Sequence, residues 1–273
     1  MTPYLKSLHI YPVKSCHRVD LESAELEPWG LAGDRRWLVT DAEGLKRTQR
    51  ELPRMALIRP TYSAGGGLRL CAPGMPDLEL PPVSRASGAE EATVTVWRFT
   101  GPAARAGAEA DAWMTSFLGL PSRLVRMDDT SVRPTNPDYS RAQDRVSFAD
   151  GYPLLLASGA SLAALNDRIV EMGGEPVPMT RFRPNVVVEG AEPWAEDTWK
   201  RIRVGEQSFR VVKRCDRCVM TTVDPELGRF TGQQPLKALR RFRREGKAVH
   251  FAVNLIPDTV GKLRVGAELE VIG

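Results

Sequence analysis

The sequence predicts a mainly β protein with a few helices, built as two packed antiparallel β-barrel-like domains. Three observations carry this. Many short stretches alternate apolar and polar side chains, turns containing Gly, Pro or Asp separate them, and only three stretches have helical spacing. At 273 residues the chain can bury two ordinary cores. The division is expected where a long polar, proline-bearing stretch begins, giving domains at 1–125 and 126–273.

Residues 5–13 alternate as a strand and stop at the polar loop Lys14-Ser15-Cys16-His17-Arg18. Two cations and a hydroxyl so close together can grip a phosphate, although a solvated turn reads the same way. Trp29 to Thr40 is a Gly-punctuated turn entering a strand, and Asp41-Ala42-Glu43-Gly44 turns the chain back into Leu45 to Gln49. Ala56 to Ser63 and Gly67 to Ala72 form a second hairpin. Pro73 to Ala92 is expected to be a long loop, and Ala92 to Trp97 a further strand. Asp111 to Leu118 reads as a short helix ended by Gly119 and Pro121, followed by a strand at Leu124 to Met127. Asp128 to Arg145 has two prolines and no periodicity, which marks a linker or an active-site loop.

In the second half, Phe148 to Ser158 has a buried-strand signal, and the helix after it has Ser158 or Ser161 as its N-cap and Gly173-Gly174 as its stop. Arg181, Arg183 and Asn185 stand just before a strand at Val186 to Val188. Arg201 to Val204 and Phe209 to Lys213 pair as a hairpin, Leu236 to Arg244 is a short basic helix, and Ala248 to Leu255 and Leu263 to Ile272 close the fold. No internal repeat or low-complexity tract is present.

Hydrophobic residues make up 42% of the chain and charged residues 26%, the range of a globular protein. No apolar run approaches the roughly 18 to 20 residues of a membrane span, and the N-terminus leads straight into a strand pattern. The expectation is a cytoplasmic protein without a membrane partner, its four cysteines reduced. The net charge is +4, carried by 30 Arg against 8 Lys. Arg grips phosphate and carboxylate at two points, but a base composition favouring Arg codons accounts for most of these residues. Only clustered Arg is informative, and charge alone gives no reason to expect a nucleic-acid partner.

The most unusual stretch is Lys213-Arg214-Cys215-Asp216-Arg217-Cys218, followed by β-branched residues and a turn at Asp224 to Gly228. Three cations within five residues favour thiolate over thiol. A thioredoxin-like redox pair needs a helix after its first Cys, whereas Val219 to Val223 favours a strand. A structural zinc site needs four ligands, and the chain offers no second spaced pair. Two inert buried cysteines would leave the cations unexplained. A thiolate on a metal whose other ligands come from a cofactor uses them.

Arg217-Cys218-Val219-Met220-Thr221-Thr222-Val223-Asp224-Pro225, with Phe182-Arg183-Pro184-Asn185, Tyr11-Pro12-Val13-Lys14-Ser15 and Gly33-Asp34-Arg35-Arg36-Trp37, resembles the MOSC-domain proteins. Within that family the resemblance is to the mitochondrial amidoxime-reducing component and its bacterial relatives. It covers nearly the whole chain and implies an N-terminal MOSC-associated β-barrel followed by a MOSC domain. It further implies a molybdenum cofactor, with Cys218 as the metal ligand and Cys215 structural. Lys14, Ser15 and Arg35 match residues that hold the cofactor's phosphate. Arg183, Asn185, Asp216, Arg217 and Asn254 match positions lining the pterin, and Asp150 lies where the family also approaches it.

The implied activity is that of a molybdenum-dependent oxidoreductase, which removes oxygen from N-hydroxylated small molecules such as amidoximes, hydroxylamines and N-hydroxy bases. The four cysteines lack iron–sulfur spacing, so a separate flavin, haem or iron–sulfur protein is the expected electron donor. Because MOSC domains also occur attached to cofactor sulfurases, a cofactor carrier or sulfur-handling module is the alternative.

Overall fold

The computed structural model describes residues 2–273. Its largest element is a nine-stranded sheet. Strand Tyr4–Ile10 lies between Val19–Leu21 and Val186–Glu189, the order continues through Leu154–Ser158, Ala248–Pro257, Gln207–Asp216 and Arg201–Val204 to Leu269–Val271, and the short ninth strand Arg244–Glu245 pairs with one end of Ala248–Pro257. All pairings in it are antiparallel except Leu154–Ser158 with Val186–Glu189, which run parallel. Those two strands are apolar on both faces, as an interior parallel pair requires. Backbone bonds from Leu5 N to Ala267 O and from Leu269 N to Pro3 O, both 2.8 Å, join the first strand to the last and curl the sheet on itself. Leu5, Leu8, Leu156, Val188, Phe209 and Leu255 fill the inside.

The first strand therefore crosses the proposed division between halves. So does the small sheet in which Gly261–Arg264 pairs with Ser23–Glu27, itself paired with Gly30–Leu31. Gly30 has φ +116, and a Cβ there would stand 2.6 Å from the Pro153 carbonyl oxygen, so only glycine lets this turn close on the loop from the second half.

The rest of the first half is a separate β body. Trp37–Thr40, Arg123–Arg126, Phe99–Arg105 and Glu91–Val96 form one sheet, and Arg59–Tyr62, Leu68–Cys71 and Leu78–Leu80 another. Helix α1 (Ala108–Leu118) ends at Gly119 in left-handed geometry and buries Trp113, Met114 and Phe117 against Trp37, Met55 and Ile58. In the second half, α2 (Gly159–Glu171) takes Ser158 as its N-cap, and α3 (Leu236–Phe242) packs beside it. Under them Phe182 stacks on Phe251 at 3.9 Å, with Trp194 edge-on.

Two expectations need correction and one strand was not expected. The unexpected strand is Phe99–Arg105, paired residue for residue with Glu91–Val96 although Gly101 and Pro102 sit within it. The expected long loop contains the edge strand Leu78–Leu80. Val219–Thr222 is a 3-10 turn rather than a strand, because the Thr221 and Thr222 hydroxyls donate to the Cys218 and Val219 carbonyls at 3.0 and 2.7 Å.

The Phe182–Phe251 stack supports the backbone on which the cavity described below is built. Phe251→Ala should lower unfolding free energy by about 3–5 kcal/mol in a denaturant titration, and a change under ~1 kcal/mol would show that the stack is not a structural support.

Candidate active site

The first strand ends at Ile10 and passes into a loop held from several directions. Tyr11 N donates to Asp34 Oδ1 at 2.8 Å, Lys14 N to Trp37 O at 2.9 Å, and Gln49 Nε2 to Ser15 O at 2.8 Å. This loop faces the segments around Asp150, Arg183 and Cys218 across an open cavity. The structure brings all ten sequence-predicted residues to its wall: Lys14, Ser15, Arg35, Asp150 and Arg183 with Asn185, Asp216, Arg217, Cys218 and Asn254.

One group of these residues is a set of cations with too few partners. Lys14 is almost fully buried and donates to Asp150 Oδ1 at 2.5 Å. Burial still pulls its ammonium down to about 8. Desolvation by the surrounding protein opposes ionisation of Asp150, but Lys14 outweighs it and holds the carboxyl well below the usual range. Arg35 donates to Asp34 Oδ2 at 2.7 Å and to Asn185 Oδ1 at 2.9 Å, while Asn185 also accepts from Leu155 N and donates to His9 O. Asn185 thus orients Arg35 and keeps one amide N–H uncommitted at the wall. Arg183 lies 4.1 Å and Arg35 4.2 Å from the centroid of the Tyr11 ring. Burial pushes Arg183 down to about 10. Arg183 Nη2 and Ser15 Oγ are both buried without a hydrogen-bond partner. Ser15, Arg35 and Arg183 also hold left-handed backbone, with φ 67, 48 and 56, a cost of order 1–3 kcal/mol each that clusters at functional sites.

Around the sulfurs the charges are arranged differently from the sequence expectation. Lys213 is paired with Asp216 at 3.1 Å and Arg214 with Glu245. Arg217 is the one cation of the three that faces sulfur, and it faces Cys215, at 3.0 Å, while its Nη2 donates to Phe182 O at 2.6 Å. Burial raises the Cys215 thiol, with Arg217 opposing. Cys218 stands where the strand hands over to the 3-10 turn, and all four cysteines are free. Asn254 Nδ2 donates to Lys213 O at 3.2 Å, tying the wall strand to the thiol segment.

Sequence reasoning missed the cation that does reach Cys218. Arg50 Nη2 lies 3.3 Å from Cys218 Sγ and 3.8 Å from Asp150 Oδ2. Trp97 donates from Nε1 to Asp150 Oδ1 at 3.3 Å and stacks near Arg50 at 5.0 Å. Arg133, buried, donates to the carbonyls of Ser147, Ala149 and Asp150 and so fixes the loop that carries Asp150. No local spacing links these residues to the motifs. Arg133 alone had a signal, as a basic residue in the aperiodic stretch.

Residues 2–121 match the MOSC N-terminal beta barrel domain and residues 143–270 the MOSC domain. The chain is 36% identical to "Mitochondrial amidoxime-reducing component 1" of Homo sapiens, over 97% of this chain and 82% of that protein. The Xenopus laevis protein of the same name is 34% identical over 96% of this chain and 80% of its own. "Mitochondrial amidoxime reducing component 2" of Bos taurus is 33% identical over 96% and 81%. The chain belongs to the MOSC family. Its relatives within that family are named as mitochondrial components, which overturns the expectation of a cytoplasmic protein: an N-terminus entering a strand directly is no guide to compartment. No helix among the described residues is long and apolar enough to cross a membrane. Nor do three or more His, Cys, Asp or Glu side chains among them gather into a group able to hold a metal ion.

Two predictions follow from the cation cluster. Lys14 carries its charge below about pH 8 and loses it above, so sulfate, whose own charge is constant there, should bind more weakly as pH rises from 7 to 9. Calorimetric titration of Lys14→Ala should show weaker binding without that slope, and an unchanged slope would remove Lys14 from the anion site. Ser15→Gly relieves a left-handed backbone and removes an unpaired hydroxyl, and should raise thermal stability by about 1 kcal/mol while weakening sulfate binding. A loss of stability would show that the Ser15 conformation is unstrained.

Proposed function

We propose that this MOSC protein is a molybdenum-cofactor-dependent oxidoreductase that removes oxygen from N-hydroxylated compounds such as amidoximes, hydroxylamines and N-hydroxy bases. Residues 1–125 and 126–273 serve as its two domains. The observation that carries the reading is the wall of one cavity. Buried cations and an unpartnered hydroxyl share it with the Cys218 thiol. An anion with several acceptor oxygens fits Ser15 Oγ and Arg183 Nη2, both buried without partners. The relatives named for amidoxime reduction support the substrate class.

In this reading Cys218 is the metal thiolate, and Lys14, Ser15 and Arg35 hold the phosphate tail. Arg183, Asp216, Arg217 and Asn254 line the pterin, and Asn185 keeps Arg35 aligned. When bound, the cofactor supplies the two-electron reduction in which the N–O oxygen leaves as water. The chain contributes donors of which Arg35 is already fixed in place and only Lys14 must change partner. Arg35 is locked by Asp34 and Asn185 at 2.7 and 2.9 Å, and Lys14 is held by Asp150, from which an arriving phosphate would draw it. The two electrons come from a separate donor protein carrying flavin, haem or an iron–sulfur centre.

The test is elemental analysis of protein from a host that makes the cofactor, together with reduction of benzamidoxime by the dye-reduced protein. A molybdenum-to-protein ratio near one and turnover are expected. Transfer of cofactor to an apo-enzyme without turnover would favour the carrier instead. Cys218→Ala should abolish turnover and Cys215→Ala retain most of it, and equal loss would overturn the choice of ligand. Lys14→Ala and Arg35→Ala should lower molybdenum content while both variants stay folded by circular dichroism.

A further inference from the structure

Arg50 belongs to none of the sequence motifs, yet it is the cation that touches Cys218. Its Nη2 lies 3.3 Å from Cys218 Sγ, within reach of a hydrogen bond to sulfur. The guanidinium is held in place from two further sides. Asp150 Oδ2 is 3.8 Å away, and the Trp97 ring centroid is 5.0 Å from the guanidinium carbon. Trp97 is itself fixed by its indole N–H on Asp150 at 3.3 Å, and it sits in left-handed backbone with φ 57, a strained placement for a bulky residue. Next in sequence, Gln49 is buried and donates to Ser15 O at 2.8 Å. One short segment therefore reaches both the Ser15 loop and the thiol. Nearly half of the Trp97 surface is exposed, too much for a residue placed there to fill a core.

We propose that Arg50 is a positioning residue for Cys218. It donates a charge-assisted hydrogen bond to the sulfur, withdraws electron density from it, and is held at the correct angle by Trp97 and Asp150. The inference rests on Cys218 being the metal thiolate. Hydrogen bonds to a ligating sulfur stabilise the more electron-rich state, so Arg50 would raise the potential of the bound metal and favour its reduction by the donor.

The first arm of the test uses the protein without cofactor. The rate of Cys218 alkylation is measured at one pH with anionic iodoacetate and with neutral iodoacetamide, by mass spectrometry of the peptide carrying it. The ratio of the two rates cancels the thiolate fraction and reports the positive charge beside the sulfur. In Arg50→Met that ratio should fall several-fold, in Arg50→Lys it should be largely retained, and in Trp97→Ala it should fall part of the way. An unchanged ratio in Arg50→Met overturns the proposal.

The second arm uses the molybdenum-loaded protein. Arg50→Met should keep its molybdenum, show a more negative midpoint potential for the paramagnetic metal signal, and lose kcat more than it raises KM. Retained molybdenum with an unmoved potential also overturns the proposal. If wild-type protein takes up no molybdenum, the proposed function fails, whereas the alkylation ratio still decides whether Arg50 acts on Cys218.

Discussion

The structure depends on keeping positive charge buried where its two β bodies meet. Lys14, Arg35, Arg133 and Arg183 all lose most of their water there, at a cost of several kcal/mol per ion unless something replaces it. The replacements are specific and different for each. Lys14 has one carboxylate, Arg35 has a buried carboxylate and an amide, Arg133 has three carbonyls, and Arg183 has mainly the face of Tyr11. These replacements are enough to hold the apo fold together and leave capacity over. The depressed Lys14 and Arg183 and the unpaired Ser15 hydroxyl mark where that capacity lies. An anion bound there would supply what the protein withholds, so ligand binding and stability draw on the same groups.

Backbone strain falls in the same place. Of the six non-glycine residues with positive φ among the described residues, Ser15, Arg35 and Arg183 line the cavity, and Trp97 touches Asp150 at its edge. A chain selected only for stability would place glycine or asparagine at such positions. Each of the three on the wall instead carries a side chain able to donate to an anion. The local cost is tolerated because neighbouring contacts fix the conformation, such as the Gln49 bond to the Ser15 carbonyl. This is the trade expected when a site is preorganised rather than shaped by its ligand.

Much of the fold was legible in the sequence because period-two alternation survives wherever a strand has one wet face. The strands at residues 4–10 and within 59–71 show it, and so does that at 201–204. Phe99–Arg105 was not legible, since Gly101 and Pro102 argue against a strand locally and only the partner Glu91–Val96 rescues it. The Val219–Thr222 turn was missed for the opposite reason. Its β-branched residues favour a strand, but two threonine hydroxyls satisfy the carbonyls of a tighter turn. At the site, the motif residues were found because their chemistry is concentrated in short stretches. Arg50 was not, because 168 positions separate it from Cys218, and nothing local records the contact.

The wiring of the first strand explains why so distributed a site holds its geometry. Tyr4–Ile10 pairs with Val186–Glu189, and the Lys14 loop follows it at once, while the Arg183 segment leads directly into that partner. The loop that faces the anion from one side and the segment that faces it from the other are therefore neighbours in the same sheet. Cys218 is attached to that sheet too, through Gln207–Asp216. The second β body contributes Arg35, Arg50 and Trp97, which meet the barrel's groups only across the seam. The seam is bonded as well as packed, since Lys14 N donates to Trp37 O at 2.9 Å and Gln49 Nε2 to Ser15 O at 2.8 Å, so the Lys14 loop is fixed to both bodies at once. In the proposed reading the phosphate is thus held from both bodies, by Lys14 and Ser15 on the loop and by Arg35 opposite them. The contact proposed to tune the thiol, Arg50 on Cys218 at 3.3 Å, comes from the second body alone, so assembling the seam is what completes the site.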